Sequence, residues 1–271
     1  MRDLAGATRV KPGSKVDLGD HPPSATLGLR DEKSARAEAA KRVERMAELA
    51  TMLYAERRRA VLVVLQGMDA AGKDGAVKHC LGGLNPMAVR VAGFKAPNSA
   101  ELAHDFLWRV HQVVPQRGEI GIFNRSHYED VLVARVEELV PKGVWKKRYG
   151  SIDAFEQHLA NEGTTVVKLF LHISKAEQAK RFRERIANPA KNWKFSAEDL
   201  AKRVKWDEYM EAYRAMLERT STEVAPWHIV PADHKWVRDA VVTDILTRTL
   251  EGLHLKWPEL DPEIRSLVVP D

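Results

Sequence analysis

Residues 60–75 read AVLVVLQGMDAAGKDG, and this stretch decides the fold. Residues 60–65 form the longest strongly apolar run of the chain, rich in β-branched side chains on successive positions, which marks a strand covered on both faces. Gly67, four further residues, Gly72 and Lys73 then match the phosphate-binding loop pattern up to its last position, where Asp74 stands in place of Ser or Thr. Helical pattern resumes beyond Gly75. Glycines let the backbone curl so that successive N–H groups point inward, the helix start adds partial positive charge, and Lys73 can reach outer phosphates. Gly67, Met68, Ala70, Ala71, Gly72, Asp74 and Gly75 are therefore candidate substrate contacts, with Lys73 catalytic.

Without the Ser/Thr hydroxyl, the usual protein ligand for the magnesium that accompanies nucleotide phosphates is missing. Asp69 is the first replacement, because a carboxylate among amide donors and phosphates repels the substrate unless a cation lies between them. Asp74 is the second, and it is equally placed to cap the following helix.

Outward from this loop, apolar runs recur at 88–94, 119–123, 166–173 and 227–231, separated by helical patterns. Strand–helix alternation with strands apolar on both faces predicts an α/β fold with a five-stranded parallel sheet. The third strand runs into GIFNRSHYED at 121–130, a polar cluster at the carboxyl end of a buried strand, where open α/β sheets bind ligands. Arg125 can neutralise a transferring phosphoryl group. Glu129, one helical turn later, can hold metal directly or through water, or else pair with Arg125. His127 and Tyr128 read as buried, hydrogen-bonded residues.

Residues 174–225 lack strand character and read as two helices joined around 188–195. The stretch 180–205 carries nine basic and three acidic residues, a local +6 that exceeds the +5 of the whole 271-residue chain. Such a run beside a phosphate loop suits a lid over bound phosphates that excludes water. Arg181 and Arg185 fall on one helix face, and Lys191 and Lys194 follow in the connection. Lys95, Arg109, Lys142, Lys146, Lys147 and Arg148 extend a basic track for a long anion. In the second helix, Trp206, Met210, Tyr213 and Leu217 make a packing stripe.

The remaining features bound the class. Residues 1–30, with Pro12, Gly13, Pro22 and Pro23, read as an extended arm, and 31–271 as one domain. A long amphipathic helix is predicted over 31–58, with Val43, Met46, Leu49, Met52 and Leu53 as a stripe that either mediates an expected homo-oligomer or covers its own domain. At 44% hydrophobic and 30% charged residues the chain is an ordinary folded protein. The modest charge excess argues against a general nucleic-acid binder. No apolar run is long enough to span a membrane and no signal-peptide pattern opens the chain, which predicts a cytoplasmic location. The lone Cys80 allows no internal disulfide and reads as a small buried residue.

Five segments in order, LQGMDAAGKDG (65–75), FKAP (94–97), HDFLWRVH (104–111), FNRSHYEDVL (123–132) and KNWK (191–194), resemble the polyphosphate kinase 2 family. The resemblance spans roughly residues 45–265. HYED, rather than WYNR, is similar to the class III branch, whose members phosphorylate nucleoside monophosphates and diphosphates. The resemblance implies a thymidylate-kinase-like P-loop fold, a three-layer sandwich with a helical lid at about 180–205. It also implies dependence on Mg2+, with Mn2+ as the alternative ion, and inorganic polyphosphate, AMP, ADP and ATP as partners. By this resemblance Asp69 and Lys73 match the essential acid and lysine of the loop, Arg125 the arginine of the second motif, and Arg185 a lid arginine. Glu129 matches the position associated with monophosphate versus diphosphate preference. Many relatives carry Asp before that arginine. Asn124 here supplies no charge, which places more of the metal binding on Asp69 and Glu129. An ATP-dependent nucleoside monophosphate kinase would use the same loop and lid, and a nucleic-acid-binding module would use the basic segment alone. A regulatory NTPase would carry a guanine-reading N-K-x-D motif after the phosphate motifs, and this sequence has none.

Overall fold

β1 (Ala60–Gln66) is buried along all seven residues, as its unbroken apolar run requires. In the computed structural model, which describes residues 3–265 together with Leu267 and Val269, β1 lies between β3 (Ile120–Asn124) and β4 (Thr164–His172). With β2 (Val89–Gly93) and β5 (Trp227–Pro231) these strands form one parallel sheet in the order β2-β3-β1-β4-β5. All five strands lie within two residues of the ends read from sequence. Residues 1, 2, 266, 268, 270 and 271, included in the arm and the domain as delimited from sequence, lie outside the described residues.

Helices cover the sheet on both faces. Lys168 and Phe170 of β4 meet Glu156 and Tyr213 on the helices Lys142–Asn161 and Trp206–Thr220. On the other side lies the helix Lys235–Gly252, and against it packs the N-terminal helix Glu32–Glu56. That helix begins at Asp31, whose carboxylate accepts the Ser34 N–H at 2.8 Å. Met46, Leu49 and Leu53 are buried, and Arg42 reaches Asp244 at 3.1 Å in a buried ion pair. The buried part of the stripe thus covers its own domain, with Val43 and Met52 partly buried beside it.

The arm is more structured than an extended chain. Leu4–Thr8 is a short helix capped by Asp3, and Arg9 bridges antiparallel to His228 at the edge of β5. Leu4, Val10 and Val16 enter the common core, which ties the described part of the arm to the domain.

Lys168, inside an otherwise apolar strand, is fully buried. It donates to Glu156 at 2.6 Å, Tyr128 Oη at 2.9 Å and the Thr220 carbonyl at 2.5 Å, while Tyr128 and His127 meet the other Glu156 oxygen at 2.8 and 3.2 Å. A buried ammonium is tolerable only with such pairing. His127 and Tyr128 are therefore the buried, hydrogen-bonded pair expected, and they fix the turn that follows β3.

The insertion departs from two helices. Lys175–Ala187 is continuous, but a 3₁₀ turn at Asn192–Lys194 follows, and the second predicted helix breaks at Lys205 into Ala197–Val204 and Trp206–Thr220. The shorter piece has no buried residue, whereas Trp206, Tyr213 and Leu217 anchor the longer one. Packing thus separates an outer lid element from a helix that belongs to the body.

Candidate functional site

The loop after β1 is built by positive φ angles. Gly67 sits at φ 147°, where a Cβ would come within 2.6 Å of the Leu171 carbonyl oxygen, and Gly72 sits at φ 107° against the Arg238 guanidinium. Among the described residues, the N–H groups of Met68, Asp69, Ala70 and Gly72 have no protein acceptor. Unpaired amides at a helix entrance are anion donors. Beside them Lys73 is buried, its Nζ donating to the Gly67 carbonyl at 2.6 Å and the Met68 carbonyl at 3.3 Å. Burial, helped by the nearby Arg125 charge, pulls the Lys73 pKa down to about 8.

β3 delivers the second half. The register pairs Leu65 with Asn124, and the Arg125 N–H donates to the Leu65 carbonyl at 3.1 Å, so the turn after β3 lies beside the phosphate loop. Arg125 itself has φ 63°, a left-handed conformation that is costly for a residue with a side chain. This geometry aims its guanidinium between Asp69 at 2.5 Å and Glu129 at 3.4 Å. Burial raises the Asp69 pKa, but Lys73, Arg125 and Lys202 outweigh it and hold the carboxyl below its usual range. The Arg125–Glu129 pair considered from sequence forms, with Asp69 as a further partner.

Two carboxylates flanking one guanidinium suit a divalent cation that arrives with phosphate. Mg2+ is commonly held by one or two carboxylates, with waters and substrate oxygens completing its shell. Among the described residues no group of three His, Cys, Asp or Glu side chains could cage a metal alone. Asp69 and Glu129 fit the ion on these terms. Asp74 is otherwise engaged, accepting from Asn124 Nδ2 at 2.9 Å and Lys194 Nζ at 2.7 Å, and the Lys194 hydrogen bond holds its pKa low. Asn124 thereby orients Asp74.

Two lysines of the lid segment meet carboxylates of the loop, Lys194 on Asp74 at 2.7 Å and Lys202 at 3.7 Å from Asp69. Arg181 and Arg185 do not act as one face. Arg181 is buried and donates to the carbonyls of Ala70, Ala71, Ala232 and Asp233 at 2.7–3.2 Å, so its guanidinium braces the loop from behind. Arg185 stays half-buried over the Phe182 ring at 5.8 Å. Lys95 and Lys191 are exposed and pair with no carboxylate among the described residues. Gly75 lies against the Arg238 guanidinium, where a Cβ would stand 3.1 Å from it.

A strand–loop–helix phosphate cradle, a cation between carboxylates at the next strand and a basic lid above them together make a site for joining two phosphate-bearing molecules. The family model described as polyphosphate kinase 2 matches residues 29–256. The chain belongs to the polyphosphate kinase 2 family. Its fold is the α/β P-loop kinase fold, and it is a phosphotransferase. It is 51% identical over 265 residues to the AMP/ADP-polyphosphate phosphotransferase of Meiothermus ruber, covering 96% of this chain and 98% of that protein. The ADP-polyphosphate phosphotransferase of Rhodopseudomonas palustris is 47% identical over 270 residues, covering 95% and 93%. The crystal structure of polyphosphate kinase 2 from Arthrobacter aurescens TC1 matches with a TM-score of 0.92 at 43% identity, over 96% of this chain and 93% of that one.

Some residues that shape this kinase family site carry no motif. Lys202, Tyr209 and Tyr213 line its cavity with Gly67, Met68, Asp69, Arg125 and Glu129. Lys202 lay within the counted basic run, but nothing in the spacing separated it from its neighbours. Tyr213 belongs to the packing stripe of its helix and also lines the cavity. Gln178 and Arg238, behind the loop, carry no sequence signal because their contacts to the loop are to backbone carbonyls.

Proposed function

We propose that this family member moves the terminal phosphoryl group of inorganic polyphosphate onto AMP and ADP, with Mg2+ as the ion and Mn2+ as a substitute. The observation that carries the reading is the loop of unpaired amides and buried Lys73 set beside the Asp69–Arg125–Glu129 cluster. Lys73 exchanges its two carbonyl partners for phosphate oxygens. Arg125, held between carboxylates in the free site, turns to the charge that develops on the transferring group, and Arg185 adds charge from the lid. Asp69 and Glu129 would hold the divalent ion, which would supply neutralisation of phosphate charge. The acceptor is a phosphate oxygen already largely ionised near neutral pH, so positioning and charge neutralisation replace a general base. One phosphoanhydride is broken and one is made, so the transfer is reversible and its direction follows concentrations.

Incubation of the purified protein with AMP, Mg2+ and long-chain polyphosphate, without ATP, is expected to yield ADP and then ATP. No nucleotide product under these conditions, with transfer from ATP intact, would establish an ATP-dependent monophosphate kinase instead. Glu129→Asn is expected to change the ratio of AMP to ADP turnover by about tenfold, a difference of about 1.4 kcal/mol between the two acceptors. Equal ratios in variant and wild type would remove Glu129 from acceptor choice.

The pH dependence has a definite sign. Lys73 is charged below about pH 8 and loses its proton as pH rises through that value. The kcat/KM for polyphosphate, which reports the free enzyme, is therefore expected to fall on an alkaline limb near pH 8, with the limb of kcat displaced upward because bound phosphates favour the ammonium. A profile flat to about pH 9.5 would contradict the placement of Lys73.

A further inference from the structure

Six consecutive carbonyl oxygens of the phosphate loop, from Gly67 to Gly72, each accept a side-chain hydrogen bond. Lys73 serves Gly67 and Met68, Gln178 Nε2 serves Asp69 at 2.9 Å, Arg181 serves Ala70 and Ala71, and Arg238 serves Gly72 at 3.2 Å. A trans peptide is planar, with its C=O and the next residue's N–H pointing opposite ways, and no cis bond occurs among the described residues. The peptides whose carbonyls belong to Gly67, Met68, Asp69, Ala71 and Gly72 are the same units whose N–H groups, on Met68, Asp69, Ala70, Gly72 and Lys73, have no protein acceptor among the described residues. Holding each carbonyl from behind therefore turns an amide to the opposite side.

We propose that Gln178 and Arg238 are positioning residues of the phosphate loop: with Arg181 they clamp its carbonyls and so preset and polarise the amides that receive phosphate. The inference rests on the functional reading above and deepens it. Both residues are buried and specifically oriented. Arg238 is fixed by Asp239 Oδ1 through its Nε at 2.8 Å and a terminal nitrogen at 2.6 Å. It occupies the space left by the absent side chains of Gly72 and Gly75, which gives the second glycine of GKDG a purpose away from phosphate. The Gln178 amide is oriented by the Arg203 guanidinium, which donates to its Oε1 at 2.9 Å and comes from the lid helix Ala197–Val204. The lid is thereby linked through Gln178 to the carbonyl of Asp69. Charged or polarised donors strengthen the opposite N–H of a peptide. Lys73 is the one donor of the set that leaves for substrate, so the other three keep the loop in shape when it does.

The amides bind phosphate in ground and transition states alike, so their loss is a loss of uniform binding and raises KM more than it lowers kcat. The test compares wild type with Gln178→Leu, which keeps a similar volume but removes the amide, and Arg238→Lys, which keeps the charge but not the fork. Tripolyphosphate binding is read by titration calorimetry, polyphosphate KM and kcat at saturating AMP, and folding by thermal melting. Each variant is expected to bind tripolyphosphate about five- to tenfold more weakly, with a matching rise in polyphosphate KM and a smaller change in kcat per folded molecule. Tripolyphosphate affinity and KM equal to wild type, with only the folded fraction reduced, would overturn the clamp and leave Gln178 and Arg238 purely structural. A wild-type protein that binds no tripolyphosphate would instead overturn the functional reading on which the clamp rests.

Discussion

Lys73→Met is expected to lower kcat/KM for transfer from polyphosphate by about 10³-fold or more while leaving the melting temperature unchanged or slightly raised. The two effects have one cause. Lys73 is an ammonium buried on two backbone carbonyls, and burial already depresses its pKa to about 8. Methionine keeps the length and removes the desolvated charge, so folding loses little. Catalysis loses the only loop cation able to exchange carbonyls for phosphate oxygens. Steady-state kinetics with calorimetric melting on the same preparation checks both halves. Activity within a few-fold of wild type would remove Lys73 and the loop from the reaction.

Arg125→Lys is expected to cost about 10²- to 10³-fold in kcat despite keeping the positive charge. The Arg125 guanidinium spans Asp69 and Glu129, 2.5 and 3.4 Å away on separate terminal nitrogens. An ammonium is a point donor and cannot bridge both while meeting a phosphoryl oxygen. The backbone at this position is already held at φ 63°, and lysine there carries the same strain, so the comparison isolates the fork. Circular dichroism is expected to match wild type, and a kcat within threefold of wild type would show that charge alone suffices.

β1, β3, β4 and β5 were legible because strands of a parallel sheet that are buried on both faces read as near-continuous apolar runs, as β1 does over Ala60–Gln66, whereas β2 at the sheet edge is largely exposed and was legible only from its short β-branched run. Asp69, Lys73, Arg125 and Glu129 were legible because a glycine loop after one strand and a charged turn after another converge only when those strands are neighbours, and β1 and β3 are. What spacing could not give was the orientation of long side chains. Arg181 and Arg185 share a helical repeat, yet Arg181 points inward to four carbonyls while Arg185 does not. The break at Lys205 was hidden because a helical pattern continues across it and only tertiary contact on one side divides it. Lys168 was invisible for the opposite reason: a lysine in an apolar run reads as an exception until Glu156, twelve residues earlier, is seen to meet it.

In the proposed function, the loop and lid deliver a phosphoryl group to a nucleotide and keep it from water. Phosphorus NMR of the protein with AMP, Mg2+ and polyphosphate follows both fates at once. The expected result is that phosphoanhydride lost from polyphosphate reappears as the β-phosphate of ADP and the γ-phosphate of ATP, with orthophosphate a minor product. Orthophosphate released without nucleotide phosphorylation would contradict the reading.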